Sequence, residues 1–399
     1  MSTFACPIVT IKTVTKHPNA DSLDIITFEE TGWKCVDKIG IRKPGDSVIY
    51  IPVDANVPVD KPEFEFLKSR AKSNGLCRIR TIKLRGEISQ GLVIDIPKIT
   101  DFDIVPGIDT STFFDITKYE PPQEQVFSVN AKGSFFPWCP KTDAERYQQF
   151  NRTIQSYLDN TWVATLKVDG TSMTVGYDSF RVAECILLND EFGVCSRNQE
   201  LKSPEEMNLD AESNGQTPWG FKLDIYWSTT RKFNLLEKAK QIAIDFGYDR
   251  VAIQCELAGP GIQDNHLKLT EVQPFCFDIY VTQGESSFYI DIDTRIKLCK
   301  TYEIPEVIVY KRGSLAEIVG KSVDQFQNVD FSSIQELKYE SGFPIEGLVF
   351  VPIIEQYVGT LGRLKFKFIN PIFEIETDKK KDKKKKEKEV STENATNVV

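Results

Sequence analysis

The 399-residue chain is 41% apolar and 27% charged, enough to bury a sizeable core, and its length suggests two domains or three. With no run of 18 apolar residues and no basic-then-apolar leader at the N-terminus, it predicts neither a membrane span nor a secretory signal, so an intracellular protein of cytosol or nucleus is expected. The net charge of −9 becomes −13 once segment 378–389, with eight Lys against four acids, is set aside; a whole-surface basic footprint is excluded and any nucleic-acid contact must be local.

The first hundred residues alternate short β-branched and aromatic runs (Ile8–Val14, Ile25–Glu29, Val48–Ile51, Arg78–Leu84, Gly91–Ile96) with Gly, Pro, Asn and Asp turns. That spacing predicts a small closed or nearly closed β-barrel. Nine scattered cysteines without a Cys-x-x-Cys pair, and only two histidines, argue against a zinc site or a disulfide framework and for reduced thiols filling strands.

Residues 97–135 are Pro-rich and acidic (Asp101-Phe102-Asp103, Glu120-Pro121-Pro122) and read as a connection, giving a barrel module over 1–120, a linker over 121–140 and a larger domain over 141–377. Thr142-Asp143-Ala144-Glu145 fits a capping box that opens a helix with Tyr147, Phe150, Ile154, Tyr157 and Leu158 on one face. A strand over Thr161–Val168 follows, then a helix near 233–247 ended by Gly247. Strands near 251–257, 274–282, 346–351 and 363–369 mix with helices near 294–302 and 314–319. From Asp378 the Lys-rich run 378–399 cannot bury a core and is expected to be a disordered tail.

Lys167-Val168-Asp169-Gly170 places a lysine just past an apolar strand and before a turn, where an activated nucleophile could stand. The tetrapeptide alone arises by chance in roughly one chain of this length in ten. Its partners lift it above coincidence: Ser196-Arg197-Asn198, Gln254-Cys255-Glu256-Leu257, Phe275-Cys276-Phe277-Asp278, Glu346-Gly347-Leu348-Val349 and Leu364-Lys365-Phe366-Lys367 follow in order. This series resembles the nucleotidyltransferase motifs of ATP-dependent polynucleotide ligases and capping enzymes.

The resemblance implies a role for each residue. Lys167 would attack a nucleotide α-phosphate, which requires its pKa to fall from the ordinary value near 10.4, through burial and nearby cations. Lys365 and Lys367, alternating on one strand face, would aim two ammonium groups at the triphosphate, lower the Lys167 pKa and neutralise charge in the transfer. Glu346 would hold Mg²⁺ or Mn²⁺, and Glu256 would accept from ribose hydroxyls or bind metal through water. One of Phe275 and Phe277, Phe277 by preference, would stack on adenine. Arg197 would bind a 5′-phosphate or the ribose; Asp169 and Gly170 would orient the lysine and permit the turn.

His17-Pro18-Asn19-Ala20-Asp21 resembles the turn of tRNA-binding OB domains, as do Arg78–Gly86 and Ser89–Leu92. An OB module ahead of the transferase, together with Phe136-Pro137-Trp138-Cys139-Pro140, Glu145-Arg146 and Glu256-Leu257-Ala258-Gly259, resembles the Deinococcus-type RNA ligases over roughly residues 5–370. The implied fold is α+β, an N-terminal OB-fold barrel followed by a ligase-type nucleotidyltransferase domain of antiparallel sheets flanked by helices. Arg78, Arg80, Lys83 and Arg85 would be a local RNA-binding stripe, with Arg78 and Arg80 on one strand face, and His17 a turn residue.

The expected activity is ATP-dependent RNA ligation, through lysyl-AMP and RNA-adenylate, of RNA or RNA/DNA duplex ends such as nicks, in RNA repair, by a monomer without membrane contact. The thirty or so residues after Lys367 leave no room for the C-terminal barrel of DNA ligases and capping guanylyltransferases, which disfavours both. A noncatalytic OB-fold RNA-binding protein is the rival from a different class.

Overall fold

The computed structural model describes residues 4–98, 102–119, 130–141, 144–181, 191–213, 225–321 and 329–396. Strand Leu23–Phe28 shows the alternation that builds the N-terminal barrel: Asp24, Ile26 and Phe28 face inward. The five-stranded sheet runs in the order Lys34–Lys38, Leu23–Phe28, Ile8–Lys16, Ser47–Ile51, Leu92–Ile94. Strand Ile8–Lys16 pairs with Ser47–Ile51 through Ile8–Thr10 and with Leu23–Phe28 from Ile11 onward, and a register shift between Ile11 and Thr13 bends it from one partner to the other. A three-stranded sheet (Thr117–Lys118, Ala55–Pro58, Leu76–Arg78) and the hairpin Thr81–Leu84/Glu87–Gln90 complete the module. The run expected as one strand over Arg78–Leu84 is therefore two, broken at Ile79 and Arg80.

The larger domain holds two antiparallel-rich sheets. The first, of seven strands, runs Ala131–Ser134, Gln199–Leu201, Phe192–Cys195, Thr171–Asp178, Arg250–Ala258, Gln273–Gln283, Ser286–Tyr289. Helix Leu235–Phe246 buries Leu235, Ala239, Ile242 and Ala243 against it, and Gly247 closes the helix at φ 68°. The second sheet, of five strands, runs Glu145–Arg146, Phe366–Ile369, Gly347–Pro352, Trp162–Leu166, Val309–Gly313, over a core centred on Trp162, Phe350 and Phe366.

Three sequence expectations change. Thr142 and Asp143 of the expected capping box lie outside the described residues; Glu145–Arg146 pair in parallel with Phe366–Lys367 as a short strand, and helical turns begin only at Tyr147. Within the segment read as linker, Ala131–Ser134 joins the seven-stranded sheet, and the Phe136 ring lies over Gly176 and Gly193, facing partners where any Cβ would collide with it. The Lys-rich segment from Asp378 continues helix Pro371–Thr396 instead of starting a disordered tail. Its first turns are anchored: buried Phe373 and Ile375 seat the helix, Glu376 pairs with Lys379 at 2.8 Å, and Asp378 and Asp382 meet Arg80 of the barrel. The eight described cysteines are free and buried, as expected of thiols that fill strands.

Candidate active site

Strand Trp162–Leu166 is flanked on both sides in its sheet, so its first four residues are buried, and Lys167 follows one residue beyond its end. The Lys167 N–H donates to the Gly347 carbonyl at 3.0 Å, which continues the pairing and fixes the lysine opposite Glu346. Past Asp169 the chain meets the other sheet so closely that a Cβ on Gly170 would overlap the Leu257 carbonyl oxygen and the Glu256 side chain. Glycine is thus required by approach, and it brings Lys167 beside Glu256.

Lys167 Nζ donates to Glu346 Oε1 at 2.6 Å. Glu346 is held from behind: its N–H donates to the Tyr339 hydroxyl at 3.3 Å, and that hydroxyl donates to the Lys167 carbonyl at 3.5 Å. Burial acts to lower the Lys167 pKa, but Glu346, Glu256 and Asp169 together raise it above the ordinary lysine value. The sequence expectation of a pKa depressed by Lys365 and Lys367 is corrected here, because the charges that govern the amine are carboxylates. Burial, with the Glu346 charge added against the pull of Lys167, pushes Glu256 up to about 7; burial and Glu346 push Asp169 up to about 6. Lys381 of the C-terminal helix is one of the cations that restrain Asp169.

Lys365 is 9% exposed and donates to Asp278 at 2.6 Å. Arg363 pairs with Asp278 at 2.9 Å and with both oxygens of Glu355, so the two cations, aided by Arg295, hold Asp278 below the usual carboxylate range against its burial. Burial, with Arg363, keeps Lys365 below the ordinary lysine value despite Asp278. The pair Lys365 and Lys367 therefore divides: Lys365 precedes the strand and is tied into a buried network, whereas Lys367 lies within strand Phe366–Ile369. Asp278 could not be connected to Lys365 from sequence, since 87 residues separate them.

A cavity of about 260 Å³ opens beside Lys167, lined by Phe277, Val307, Val349, Val351, Arg295 and both Lys365 and Lys367. Phe277 is the extra residue of a β-bulge, since Gln254 faces Asp278 while Cys255 faces Cys276. The bulge leaves the two rings in different settings: Phe277 lines the cavity, while Phe275 packs with Val168, Ala258 and Val307. A second cavity of about 400 Å³ lies between barrel and transferase, bounded by Trp33, Tyr50, Arg146 and Glu346. Lys167, Arg197 and Lys367 line both cavities and so stand where they meet.

Sequence reasoning missed Arg146, whose Nη2 donates to Glu374 at 2.6 Å and whose buried Nη1 has no hydrogen-bond partner among the described residues. It also missed Tyr339 and Arg295. The only advance signal for Arg146 was the Glu145-Arg146 pair.

The barrel arginines are engaged. Arg78 donates to Asp54 at 2.9 and 2.6 Å and lies 4.1 Å from the Tyr119 ring centre; Arg80 meets Asp382 at 3.2 Å. Arg78 and Arg80 alternate with buried Cys77, Ile79 and Thr81 and both act on Asp378, whereas Lys83 and Arg85 of the stripe are exposed. His17 is buried, accepting from Asn19 N–H at Nδ1 and donating from Nε2 to the Leu84 carbonyl, a turn residue as expected.

The carboxylates suit a divalent cation. Glu346 Oε2 is buried with no hydrogen-bond partner among the described residues, and Asp169 and Glu256 are short of compensating charge. No three metal-ligating side chains of the described residues form a ready cage, which fits a cation that takes one or two carboxylates and completes its shell with phosphate oxygens and water.

Residues 6–98 match the model of an OB-fold domain family, and residues 160–369 match that of the RNA ligase family. No protein of curated function matches the sequence. Among solved structures, an aspartate-to-alanine variant of Naegleria gruberi RNA ligase without ligand superposes with TM-score 0.71 at 24% identity, covering 95% of this chain and 98% of that one. A lysine-to-alanine variant of the same ligase with ATP and manganese gives TM-score 0.70 at 24% identity over 95% of this chain and 100% of that one. A glutamate-to-alanine variant with AMP and manganese gives 0.70 at 24% identity over 95% and 99%. At that identity the likeness establishes the fold, a barrel followed by the two-sheet domain.

Proposed function

We propose that this chain, which belongs to the RNA ligase family, uses ATP to join a 3′-hydroxyl to a 5′-phosphate by way of a covalent adenylate on Lys167. The observation that carries this reading is the position of Lys167, paired with Glu346 at the junction of two cavities, one bounded by Phe277, the other reaching the barrel.

In the first step the neutral Lys167 amine attacks the α-phosphorus. The bond to the pyrophosphate oxygen breaks, a P–N bond forms, and the amine gives up a proton as pyrophosphate leaves. In the second, a 5′-phosphate oxygen attacks the same phosphorus, the P–N bond breaks, and the lysine is restored. In the third, a 3′-hydroxyl attacks the 5′-phosphate, loses its proton and expels AMP. Division into three displacements is covalent catalysis.

The chain's own residues have separable tasks. Phe277 and the valines hold the base, Lys367 and Arg197 neutralise phosphate charge where the cavities meet, and Lys365 braces Phe277 from 5.2 Å while bound to Asp278. Glu346, with Glu256 or Asp169, would hold Mg²⁺ or Mn²⁺, which supplies charge neutralisation at the phosphates. The ATP and manganese present in structures of the Naegleria ligase support this choice of nucleotide and metal.

The barrel ahead of the transferase supports duplex ends as substrate, specifically nicks with RNA on the 3′-hydroxyl side, and a role in RNA repair. Lys83 and Arg85 would reach the phosphates first, with Arg78 and Arg80 contributing if their carboxylate partners are displaced. A panel of nicked duplexes with RNA or DNA on either side, supplied with ATP or GTP, tests the reading. Sealing with ATP that depends on an RNA 3′-hydroxyl strand is expected; a preference for GTP and diphosphate ends would replace it with capping, and binding without sealing with a noncatalytic role.

A further inference from the structure

Helix Pro371–Thr396 begins at the wall of the cavity between barrel and transferase, which Phe373 and Glu374 line together with Lys167, Arg197 and Glu346. From there it runs along both units. On one side Glu374 accepts from Thr81 of the barrel at 2.5 Å and from Arg146 at 2.6 Å, and Asp378 and Asp382 meet Arg80. On the other, Lys380 lies 3.5 Å from Asp264 and 3.8 Å from the Phe343 ring centre.

This seating sorts the charges of a segment whose sequence mixes them. Glu374, Asp378 and Asp382 recur every four residues, so they form one stripe of the helix and are engaged by Arg146 and Arg80. Lys379, Lys381 and Lys383 fall off that stripe and are exposed. Lys379 and Lys383 pair within the helix with Glu376 and Glu387, at the exposed surface where such pairs hold weakly. Lys381 stands close enough to the active site for its charge to act on Asp169. At a rise of about 1.5 Å per residue, Lys381 and Lys383 lie about 10 and about 14 Å along the axis from Glu374 at the cavity wall. Because the chain outside 378–389 carries −13, these lysines concentrate positive charge on one rim of the cavity.

We propose that Lys379, Lys381 and Lys383 form a phosphate-binding rim that grips an RNA duplex within a few nucleotides of the break to be sealed, beside the barrel hairpin that carries Lys83 and Arg85. This rests on the end-joining reading above and adds to it a second contact surface, on the C-terminal helix. Ends that reach Lys167 bring backbone phosphates past the rim, and ammonium groups on flexible stems suit phosphates as point charges without reading the bases.

The test uses the full-length protein and a nicked RNA duplex, with binding followed from about 50 to about 200 mM salt. Wild type is compared with a triple variant, Lys379→Gln, Lys381→Gln and Lys383→Gln, and with the corresponding triple Arg variant, thermal melting checking that each folds. The Gln variant should lose about tenfold or more in affinity, with a salt slope shallower by about two to three, while the Arg variant keeps both. Neutral methylphosphonate linkages at about four phosphates beside the nick, the reach of the rim at ~3.4 Å per step, should weaken wild type and leave the Gln variant little changed. Unaltered affinity and slope in the Gln variant of a wild type that binds and seals would overturn the proposal and leave the lysines to a protein partner. Equal weakening of wild type and Gln variant by the methylphosphonates would overturn it too. Should the triple Gln variant not fold, Lys381→Gln alone takes its place in both comparisons. A wild type that neither binds nor seals the duplex would instead bring down the end-joining reading, and this one with it.

Discussion

Lys167 and Glu346 form an ion pair at 2.6 Å, so the amine proposed as the nucleophile is held protonated by the carboxylate proposed to bind the cation. On that proposal one residue restrains the amine in the resting protein and helps release it when the cation arrives. Replacing Glu346 by Gln separates the two roles. Reactivity of Lys167 toward a neutral amine reagent at pH 8 should rise, by about tenfold for each unit its pKa falls. Label transfer from ATP should drop by about 100-fold or more, since the cation site is lost. Mass spectrometry of the labelled lysine and electrophoresis of the adenylate measure the two effects; a parallel change in both would contradict the account.

Glu256 makes stability depend on pH. Its carboxyl, pushed up to about 7 by burial, holds a proton more tightly in the folded state than in the unfolded chain, where the ordinary value is near 4.3. Its contribution is most favourable at low pH and is lost as pH rises from about 4 to about 7. Glu256→Gln should therefore be more stable than wild type by about 1–3 kcal/mol at pH 8, with the advantage shrinking toward pH 5. Urea unfolding at the two pH values reads this out, and an advantage that grew toward low pH would refute it.

Asp278 is the shared acceptor of Lys365 and Arg363 in the core beside Phe277. Asp278→Asn leaves Lys365 without its countercharge and Arg363 with Glu355 alone, and should destabilise the protein by about 3–5 kcal/mol, visible as a lower denaturant midpoint. Glu355→Gln, which removes a partner of Arg363 alone, should cost less.

Arg80 contributes to RNA binding only if it can leave Asp378 and Asp382. Substituting both aspartates by Ala should strengthen binding of a nicked RNA duplex and steepen its salt dependence, while Arg80→Ala should weaken and flatten it. Binding isotherms at several salt concentrations distinguish these outcomes.

What was legible in the sequence was what chain order encodes. The barrel strands followed from alternation, the helix over Leu235–Phe246 from its 3.6-residue period and terminal glycine, and Lys167, Glu256 and Glu346 from motifs that lie at strand ends. What was not legible depends on partners distant in sequence. Lys365 reads as the twin of Lys367 until Asp278, on another sheet, claims it. Arg295 carries no signal in the sequence, because the Cys276 carbonyl that accepts from it belongs to a distant strand. The Lys-rich end reads as solvated chain because its anchors, Arg80 and Asp264, belong to other segments.

The most direct test of the central claim is the intact mass of the protein after incubation with ATP and manganese, with the modified residue located by peptide mapping. A gain of one adenylate, carried on Lys167 and absent from Lys167→Ala, is predicted. An adenylate on any other residue, or an unchanged mass in protein that still seals RNA ends, would contradict it.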